Sequence, residues 1–366
     1  MNVKQRLTHN LLNIPGWRTK RHIVVIESDD WGAIRMPSRA VYEKLLSEGY
    51  RVDKNDYERN DSLARQDDFE SLFAVLGKYK DRNGKHPVIT ANCAVANPDF
   101  KKIKESGFKN YYYEPFTETL QRYHGCEHSF ELWQQGLNEG FFRPQFHARE
   151  HLNVAKWMKA LQSGDIDTQH VFEYGLMGLF PKNDYTKGND FQVALNDSQC
   201  KLQPLDEVIS DGLNMFEQLF GYKSKTFIAP CYTWSPRLEK TLFEKGVIGL
   251  QGMVYQAVPG GKSIRHFMGD RNQFGQVYTI RNCFFEPAKG IDEEDCLYRI
   301  KCAFRWQKPA IISSHRLNYI GAINEENRTN SLKRLNVLLS EILRLWPDVE
   351  FLSSDQIVEL INNNPK

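Results

Sequence analysis

The chain alternates between short apolar runs and longer segments in which apolar residues recur at helical spacing. From residue 22 onward the runs are rich in β-branched and aromatic residues and are bounded by turn-forming residues, which is typical of buried strands. They read HIVVIES, HPVITANCAV, NYYYE, EGFFRPQFH, KTFIAP, GVIGLQG, QVYTIRN, PAIISSH and DVEFLSS. Strands that alternate with helices in this way predict a parallel sheet covered by helices.

Two of the intervening segments carry clear helix signals. In PSRAVYEKLLSEG, Ser38 can cap the N-terminus and Gly49 can stop the helix. In SPRLEKTLFEKG, Ser235 can cap and Pro236 occupies the first helical position. About eight strand–helix units emerge, which favours an α/β fold of the TIM-like kind, an irregular (β/α) barrel of about seven to eight strands, over an open doubly wound sheet.

The chain reads as one domain. Residues 1–20 are predicted to be an N-terminal extension, and residues 21–366 the barrel. The polar stretch 182–203, rich in Asn, Asp, Lys and Gly, predicts a surface insertion. The sequence contains no repeat, low-complexity tract or linker that would divide the barrel.

Composition narrows the class of protein. Of 366 residues, 41% are apolar and 12% aromatic, enough for a large core. The 48 basic and 46 acidic residues nearly cancel, so no overall field favours nucleic acid or an anionic membrane, and a neutral substrate is expected. No apolar run has the length of a signal-peptide core or a membrane span, and the seven cysteines lack paired spacing. We therefore expect a cytoplasmic protein with reduced cysteines.

Polar side chains collect at the ends of the predicted strands. In a (β/α) barrel these ends open onto one face, where the following loops build the site. Asp29 and Asp30 end the first strand, His147 and His151 follow another, and His315 ends a late one. Two histidines four residues apart and a carboxylate from elsewhere make a metal set with open positions for water, for which zinc is the default divalent ion. The structural alternatives are a turn or helix N-cap for the aspartates and incidental surface histidines.

The same histidines also spell a second motif. HAREH matches HxxEH, the signature of a class of zinc metallopeptidases, with Glu150 as the general base. That hypothesis needs the motif inside a helix and a further carboxylate from a downstream helix, such as Glu217. Pro144, three residues before His147, and the β-type approach favour a strand end instead. The peptidase hypothesis also leaves SDDWG and SSH without a role.

The order of these motifs resembles the polysaccharide deacetylase family of metal-dependent carbohydrate esterases, whose domain is an irregular (β/α) barrel. The order is Asp-Asp at a strand end, then HxxxH, then a strand ending in a Pro motif at Pro230, then a His after a late strand. The resemblance spans roughly residues 20–360 and is carried by the motifs alone. It implies these roles: Asp29 as catalytic base, Asp30, His147 and His151 as metal ligands, and His315 as general acid.

The chain departs from the family pattern at its first and third motifs. Trp31 stands between the aspartate pair and the Gly that directly follows it in the family. The third motif of the family begins with an Arg that pairs with the base, and Ile228 occupies that place here. Arg149 or Arg143, next to the metal histidines, could supply the pairing from another direction.

The last motif departs as well. Ser313 stands where the family has the Leu of Leu-x-His. The Asp and Trp motif that precedes this His in the family is not evident, and Asp270 and Glu286 are the candidates for orienting His315.

The resemblance implies a hydrolase that acts on carbon–nitrogen bonds other than peptide bonds and removes N- or O-acetyl groups from a carbohydrate. The ion would lower the pKa of water toward about 7 and polarise the acetyl carbonyl. Asp29 would take the proton of the water, the backbone N–H of Cys231 would meet the oxyanion, and His315 would protonate the leaving amine. Nearby aromatic residues could stack on sugar, although each alone could equally be core: Trp31, Tyr232, Trp234 and Tyr319. A carbohydrate-binding barrel without turnover is the remaining alternative.

Overall fold

The computed structural model describes residues 3–179, 182, 191–196 and 203–364. Most of the insertion predicted between residues 182 and 203 lies outside the described residues. The strands are β1 Ile23–Trp31, β2 Ile89–Ala94, β3 Ala96–Pro98, β4 Tyr113–Pro115, β5 Phe142–Ala148, β6 Thr226–Ile228, β7 Gly249–Gly252, β8 Tyr255–Val258, β9 Lys262–Arg265, β10 Val277–Ile280, β11 Cys283–Phe284, β12 Ala310–His315 and β13 Glu350–Phe351.

Helices follow most of the strands, as the periodicity predicted. They are α1 Val3–Leu12, α2 Arg39–Ser47, α3 Asp56–Asn60, α4 Gln66–Leu76, α5 Phe100–Glu105, α6 Phe116–Leu120, α7 Ser129–Glu139, α8 Val154–Gln162, α9 Ile166–Phe172, α10 Leu205–Phe220, α11 Glu239–Glu244, α12 Glu293–Arg305, α13 Glu325–Leu345 and α14 Ser354–Asn363. Among the described residues, no helix is long and apolar enough to cross a membrane.

The helix boundaries follow local chemistry. The Ser38 hydroxyl accepts the Val41 N–H at 3.2 Å, which caps α2 as predicted. Gly49 follows the end of α2 with a φ of +93°. The prediction for Ser235 and Pro236 is met only in part, because Pro236 opens a short 3-10 turn that leads into α11 and the Ser235 side chain makes no cap.

One parallel sheet curls into the predicted (β/α) barrel. Its strand order is β10-β7-β6-β5-β2-β1-β12-β11, and β13 pairs with the start of β1. The first and last strands in this order, β10 and β11, follow one another directly in the chain. β10 pairs with β7, and β11 pairs with β12. Between them the Arg281 N–H donates to Gly252 and the Asn282 N–H to Ile311. The segment therefore changes partner at Arg281 and closes the barrel.

The run NYYYE does not join the barrel. Its residues Tyr113–Pro115 form β4, which pairs antiparallel with β3 outside the main sheet. The tyrosine hydroxyls on this run bind carboxylates instead of packing in an apolar layer: Tyr111 donates to Glu150 at 2.9 Å and Tyr113 to Asp211 at 2.7 Å.

The interior of the barrel changes from apolar to charged along β1. Ile23 and Val25 pack in an apolar cluster that includes residues of α14. Every second residue of a strand faces the same side, so Glu27 and Asp29 lie in the same row as Ile23 and Val25. Both are buried. The apolar cluster thus fills one end of the barrel, and the charged residues point toward the end where the strands finish.

Candidate active site

A bulge at the end of β1 brings both aspartates to one cavity. In a regular strand two adjacent side chains point to opposite faces. Here Ser28 pairs with Ala91 but Trp31 pairs with Cys93, so β1 carries one extra residue. Asp30 has a φ of +72°, in the left-handed region. This conformation turns Asp30 into the cavity that Asp29 also lines. Strained backbone of this kind persists where the surrounding structure enforces it, often at active sites.

Asp30, His147 and His151 form a buried cluster that could hold a metal ion. One ligand atom from each lies within 4.8 Å of the others. The Asp30 Oδ1 atom is 3.2 Å from His151 Nε2 and 3.6 Å from His147 Nε2. His147 comes from the end of β5 and His151 from the loop that follows. The three side chains therefore come from the ends of β1 and β5, which are separated in the sheet by β2, and they meet at the face where the strands end.

The hydrogen bonds around the cluster fit a metal-binding role. A carbonyl oxygen can only accept, so the 2.8 Å contact of His147 Nδ1 with the Ile228 oxygen fixes the proton on Nδ1. This leaves His147 Nε2 as a buried lone pair, and it has no hydrogen-bond partner among the described residues. Metal-bound histidines commonly have such a backbone partner on the other nitrogen. The donor set of two imidazoles and one carboxylate suits Zn²⁺ or another divalent ion.

Charge at the cluster also favours the ligand forms. Burial alone would raise the pKa of Asp30, but the Arg35 guanidinium, 3.2 Å away at Oδ2, acts together with His151 and His147 to hold the pKa well below its usual range. Burial lowers the pKa of His151, so its imidazole stays neutral. A carboxylate and neutral imidazoles are the states that bind metal.

Asp29 is held as an ionised carboxylate beside the cluster. Its Oδ1 accepts from Asn92 Nδ2 at 2.7 Å and from Arg281 Nη2 at 2.7 Å, and its Oδ2 accepts from Arg281 Nη1 at 2.7 Å. Burial would raise the pKa of Asp29, yet the bidentate Arg281 outweighs it and lowers the pKa far below the usual value. Asp29 is therefore ionised and fixed in orientation.

Arg281 is a functional candidate that the sequence analysis missed. Its side chain is buried, and Nε donates to Glu27 at 2.7 Å while both Nη atoms bind Asp29. The two arginines considered for this role lie elsewhere, because Arg149 pairs with Glu150 and Asp211, and Arg143 pairs with Asp355. The available signal was an Arg at the end of the apolar run QVYTI. Its partner depended on how the barrel closes.

His315 lies opposite Asp29 in the ladder between β1 and β12. Its Nε2 atom is 3.9 Å from Asp29 Oδ2, and its Nδ1 atom is bonded to Glu286. The second Glu286 oxygen accepts from Asn318 at 2.7 Å, which fixes the carboxylate. Burial lowers the pKa of His315, but the Glu286 carboxylate outweighs it, so the net shift is upward. His315 therefore holds a proton to higher pH than a free imidazole.

These groups share a cavity of about 530 Å³. Cys231 and Tyr232, each with a φ of +53°, form a tight turn at its edge. The Cys231 residue is exposed there, and the Tyr232 hydroxyl accepts from Arg281 at 3.1 Å. Of the two acidic residues considered for orienting His315, Glu286 is the one in contact with it, because Asp270 lies elsewhere and accepts the backbone N–H of Phe267.

Three of the aromatic residues predicted to contact sugar are core residues. Trp31 is 1% exposed and packs edge-to-face against Phe142, and Trp234 is 2% exposed. Tyr319 is also buried. These rings have no face open to a ligand, because packing against other aromatic rings covers them. Of the four, only Tyr232 lines the cavity.

The peptidase alternative is not supported by the position of its motif. His147 lies in a strand and not in a helix, and Glu150 accepts from Arg149 and Tyr111, both at 2.9 Å. The carboxylate that joins the histidines is that of Asp30, and the cluster does not include Glu217.

No family model and no curated protein matches the chain. Among solved structures, one described as a polysaccharide deacetylase from Mycobacterium smegmatis aligns over 96% of this chain and 94% of its own, with 12% identity and a TM-score of 0.45. A polysaccharide deacetylase from Pseudomonas aeruginosa aligns over 94% and 92%, with 11% identity and a TM-score of 0.42. A 4-alpha-glucanotransferase from Thermococcus litoralis aligns over 93% and 40%, with 10% identity and a TM-score of 0.47. Polysaccharide deacetylases, which the motifs resemble, are thus among the solved structures similar to this chain.

Proposed function

We propose that the protein is a metal-dependent hydrolase that removes acetyl groups from a carbohydrate. The observation that carries the proposal is one cavity that combines a buried Asp-His-His cluster with an ionised carboxylate and an imidazole that retains its proton. Hydrolysis of an amide needs those three parts: a Lewis acid, a base for water and an acid for the leaving amine.

Asp30, His147 and His151 would hold the ion, through one carboxylate oxygen and two imidazole nitrogens. A divalent ion bound there supplies a Lewis acid that polarises a carbonyl and makes nearby water more acidic. Arg35 binds the second oxygen of Asp30, so only the first oxygen faces the two histidines. We propose zinc because imidazole-rich sites with one carboxylate favour it.

Asp29 would accept the proton of the attacking water. Its Oδ1 is committed to Asn92 and Arg281, whereas Oδ2 has Arg281 on one side and His315 at 3.9 Å on the other. This leaves Oδ2 with a lone pair on the side of the cavity. Arg281 acts as a positioning residue, because it holds the carboxylate ionised and fixes its plane.

His315 would protonate the departing amine. Because Nδ1 is engaged by Glu286, the other nitrogen, Nε2, is the one near Asp29 Oδ2. The ladder register that sets Asp29 against His315 keeps both groups on the same side of the sheet. Base and acid would therefore face the same substrate from adjacent strands.

The zinc content of histidine variants tests the metal site of the proposal. His147→Ala and His151→Ala should lose bound zinc in elemental analysis while keeping the circular dichroism of the folded chain. His170→Ala is the matched control, since His170 pairs with Glu48 away from the cluster and should leave zinc unchanged. Equal zinc content in all three variants would contradict the metal site.

Release of acetate from an N-acetylated oligosaccharide by the zinc-loaded chain tests the reaction. Zinc binding without any acetate release would leave a carbohydrate-binding barrel without turnover. Release that persists in His147→Ala would show that the acetyl group is removed without the cluster.

A further inference from the structure

Lys289 lies in the cavity wall next to the proposed acid. It ends the short 3-10 turn Pro287–Lys289, which directly follows Glu286. Its Nζ atom donates to the Tyr57 hydroxyl at 2.6 Å and lies 4.2 Å from the centre of that ring. The same Tyr57 ring meets the His315 ring edge-on at 5.5 Å. Lys289 and His315 therefore flank one tyrosine that also lines the cavity.

Lys289 forms no ion pair in the described part of the chain. No described carboxylate oxygen lies within the ion-pair distance of 4.0 Å from its Nζ atom. Its neighbour Tyr57 is a neutral phenol, because burial raises the pKa of that hydroxyl well above its usual value. An ammonium group has three donors, and the phenol uses one. At least one donor is thus available to a ligand in the cavity.

The carboxylates around the cavity share their cationic partners. Arg281 binds both Glu27 and Asp29, Arg35 binds both Asp30 and Asp61, and His315 pairs with Glu286. Glu58 also lines the cavity. Lys289 takes part in none of these ion pairs, so its ammonium is not committed to any of these carboxylates. The low net charge of the whole chain does not show such a group, since it averages over distant surface residues.

We propose that the substrate is an acidic sugar, and that Lys289 binds an anionic group on the same sugar residue that carries the acetamido group. The inference rests on the proposed function for the identity of the ligand as an acetylated sugar. Lys289 Nζ and the His315 ring both lie against the Tyr57 ring, at 4.2 and 5.5 Å from its centre, so an anionic group bound by Lys289 would lie on the His315 side of the cavity. The overall charge of the chain predicted a neutral substrate; the substrate proposed here instead carries a negative charge that Lys289 binds.

Arg35 adds to the same wall. Its guanidinium carbon lies 5.0 Å from the centre of the Tyr57 ring, and its charge is shared with Asp30 and Asp61. Because these carboxylates hold the Arg35 side chain, we expect it to attract an anion through its electric field without contacting it. Substituting Lys289 therefore tests the direct contact and leaves the effect of Arg35 unchanged.

Binding of a matched sugar pair tests the inference. The probes are 2-acetamido-2-deoxyglucuronic acid and 2-acetamido-2-deoxyglucose, which differ only in a carboxylate against a hydroxymethyl group. Calorimetric titration into the zinc-loaded Asp29→Asn variant avoids turnover. We expect the acid to bind about tenfold or more tightly than the neutral sugar, as a charge-assisted hydrogen bond predicts. The preference should weaken as salt is added.

Two substitutions of Lys289 on the Asp29→Asn background test whether Lys289 causes the preference for the acidic sugar. Lys289→Gln should reduce the preference to about onefold, and Lys289→Arg should retain most of it because the charge remains. Lys245→Gln is the matched control, since Lys245 is a half-buried lysine outside the cavity lining that is bound to Asn214 and should not change the ratio.

Equal affinity for the two probes in the parent variant would overturn the inference, and so would binding of neither probe. A preference that survives Lys289→Gln would overturn the assignment of Lys289. These results are separable from failure of the proposed function. Acetate released from neutral sugar alone would contradict only the acidic substrate, and a Lys289-dependent preference without zinc or acetate release would contradict only the hydrolase.

Discussion

Replacing Arg281 by methionine is the most direct test of how the interior of the barrel holds its charges. The guanidinium makes three hydrogen bonds of 2.7 Å to Glu27 and Asp29, and all three residues are buried. Arg281→Met removes the only cation in contact with both carboxylates among the described residues. Removing one partner of a buried ion pair typically costs about 3–5 kcal/mol, because the remaining charge is left without compensation.

The loss in free energy of unfolding can be measured by urea unfolding at pH 7, and thermal unfolding gives an independent check. With an unfolding entropy of about 2.1 cal/mol/K per residue over 366 residues, a loss of about 3–5 kcal/mol corresponds to a fall in Tm of about 4–7 °C. The matched control is Arg316→Met, because Arg316 makes a similar buried bidentate pair with Asp61 and should cost a similar amount.

Neutralising the carboxylates separates charge from packing. Adding Glu27→Gln and Asp29→Asn to Arg281→Met should recover most of the lost stability, to within about 1–2 kcal/mol of the natural chain, since an ion pair and a neutral set of similar volume differ little. The same two substitutions should not rescue Arg316→Met. A loss below about 1 kcal/mol for Arg281→Met, or no recovery in the neutral variant, would refute the view that charge compensation dominates there.

Three further predictions concern the proposed chemistry and the bulge. Asp30→Asn should lose bound zinc, whereas Asp29→Asn should keep zinc and lose acetate release; equal zinc loss in both would mean a shared ligand. His315→Ala should keep zinc and lower kcat/KM by about 10²–10⁴-fold, and Glu286→Gln should move the alkaline limb of the rate profile to lower pH. The sign follows because Glu286 raises the pKa of His315, so its loss lets the proton leave earlier; an unmoved limb would remove Glu286 from this role. Gly32→Ala should cost about 3 kcal/mol or more in thermal unfolding, because φ is +81° and a Cβ atom would lie 2.3 Å from a backbone oxygen; an unchanged Tm would contradict that geometry.

The closeness of Asp30, His147 and His151 could be expected from the sequence because they follow two apolar runs that read as strands. Asp30 ends an apolar run, and the two histidines follow another at a spacing that brings them together. Parallel strands finish on the same face of a barrel, so proximity follows from the fold class alone. No knowledge of strand order was needed.

Arg281 shows where such reasoning stops. Its partners Glu27 and Asp29 are at the other end of the chain, and the pairing arises only because one segment leaves β7 and joins β12 at that residue. A change of partner in the middle of a run leaves no mark in the pattern of apolar residues. The prediction that Trp31 and Trp234 contact sugar was wrong for a related reason. Closeness to a motif in sequence does not say whether a ring points into the cavity or into the core.

The bulge in β1 completes a layered arrangement of the site. One polar layer runs across neighbouring strands: Gln145 of β5 pairs with Asn92 of β2, Asn92 binds Asp29, and Asp29 pairs with His315 of β12. His147 lies two residues beyond Gln145, at a register shift in the pairing of β5 with β2, and lines the cavity one layer further out. A regular β1 would have turned Asp30 away from the cavity. The extra residue, with its left-handed φ, is therefore what supplies a carboxylate to the outer layer while Asp29 stays in the inner one.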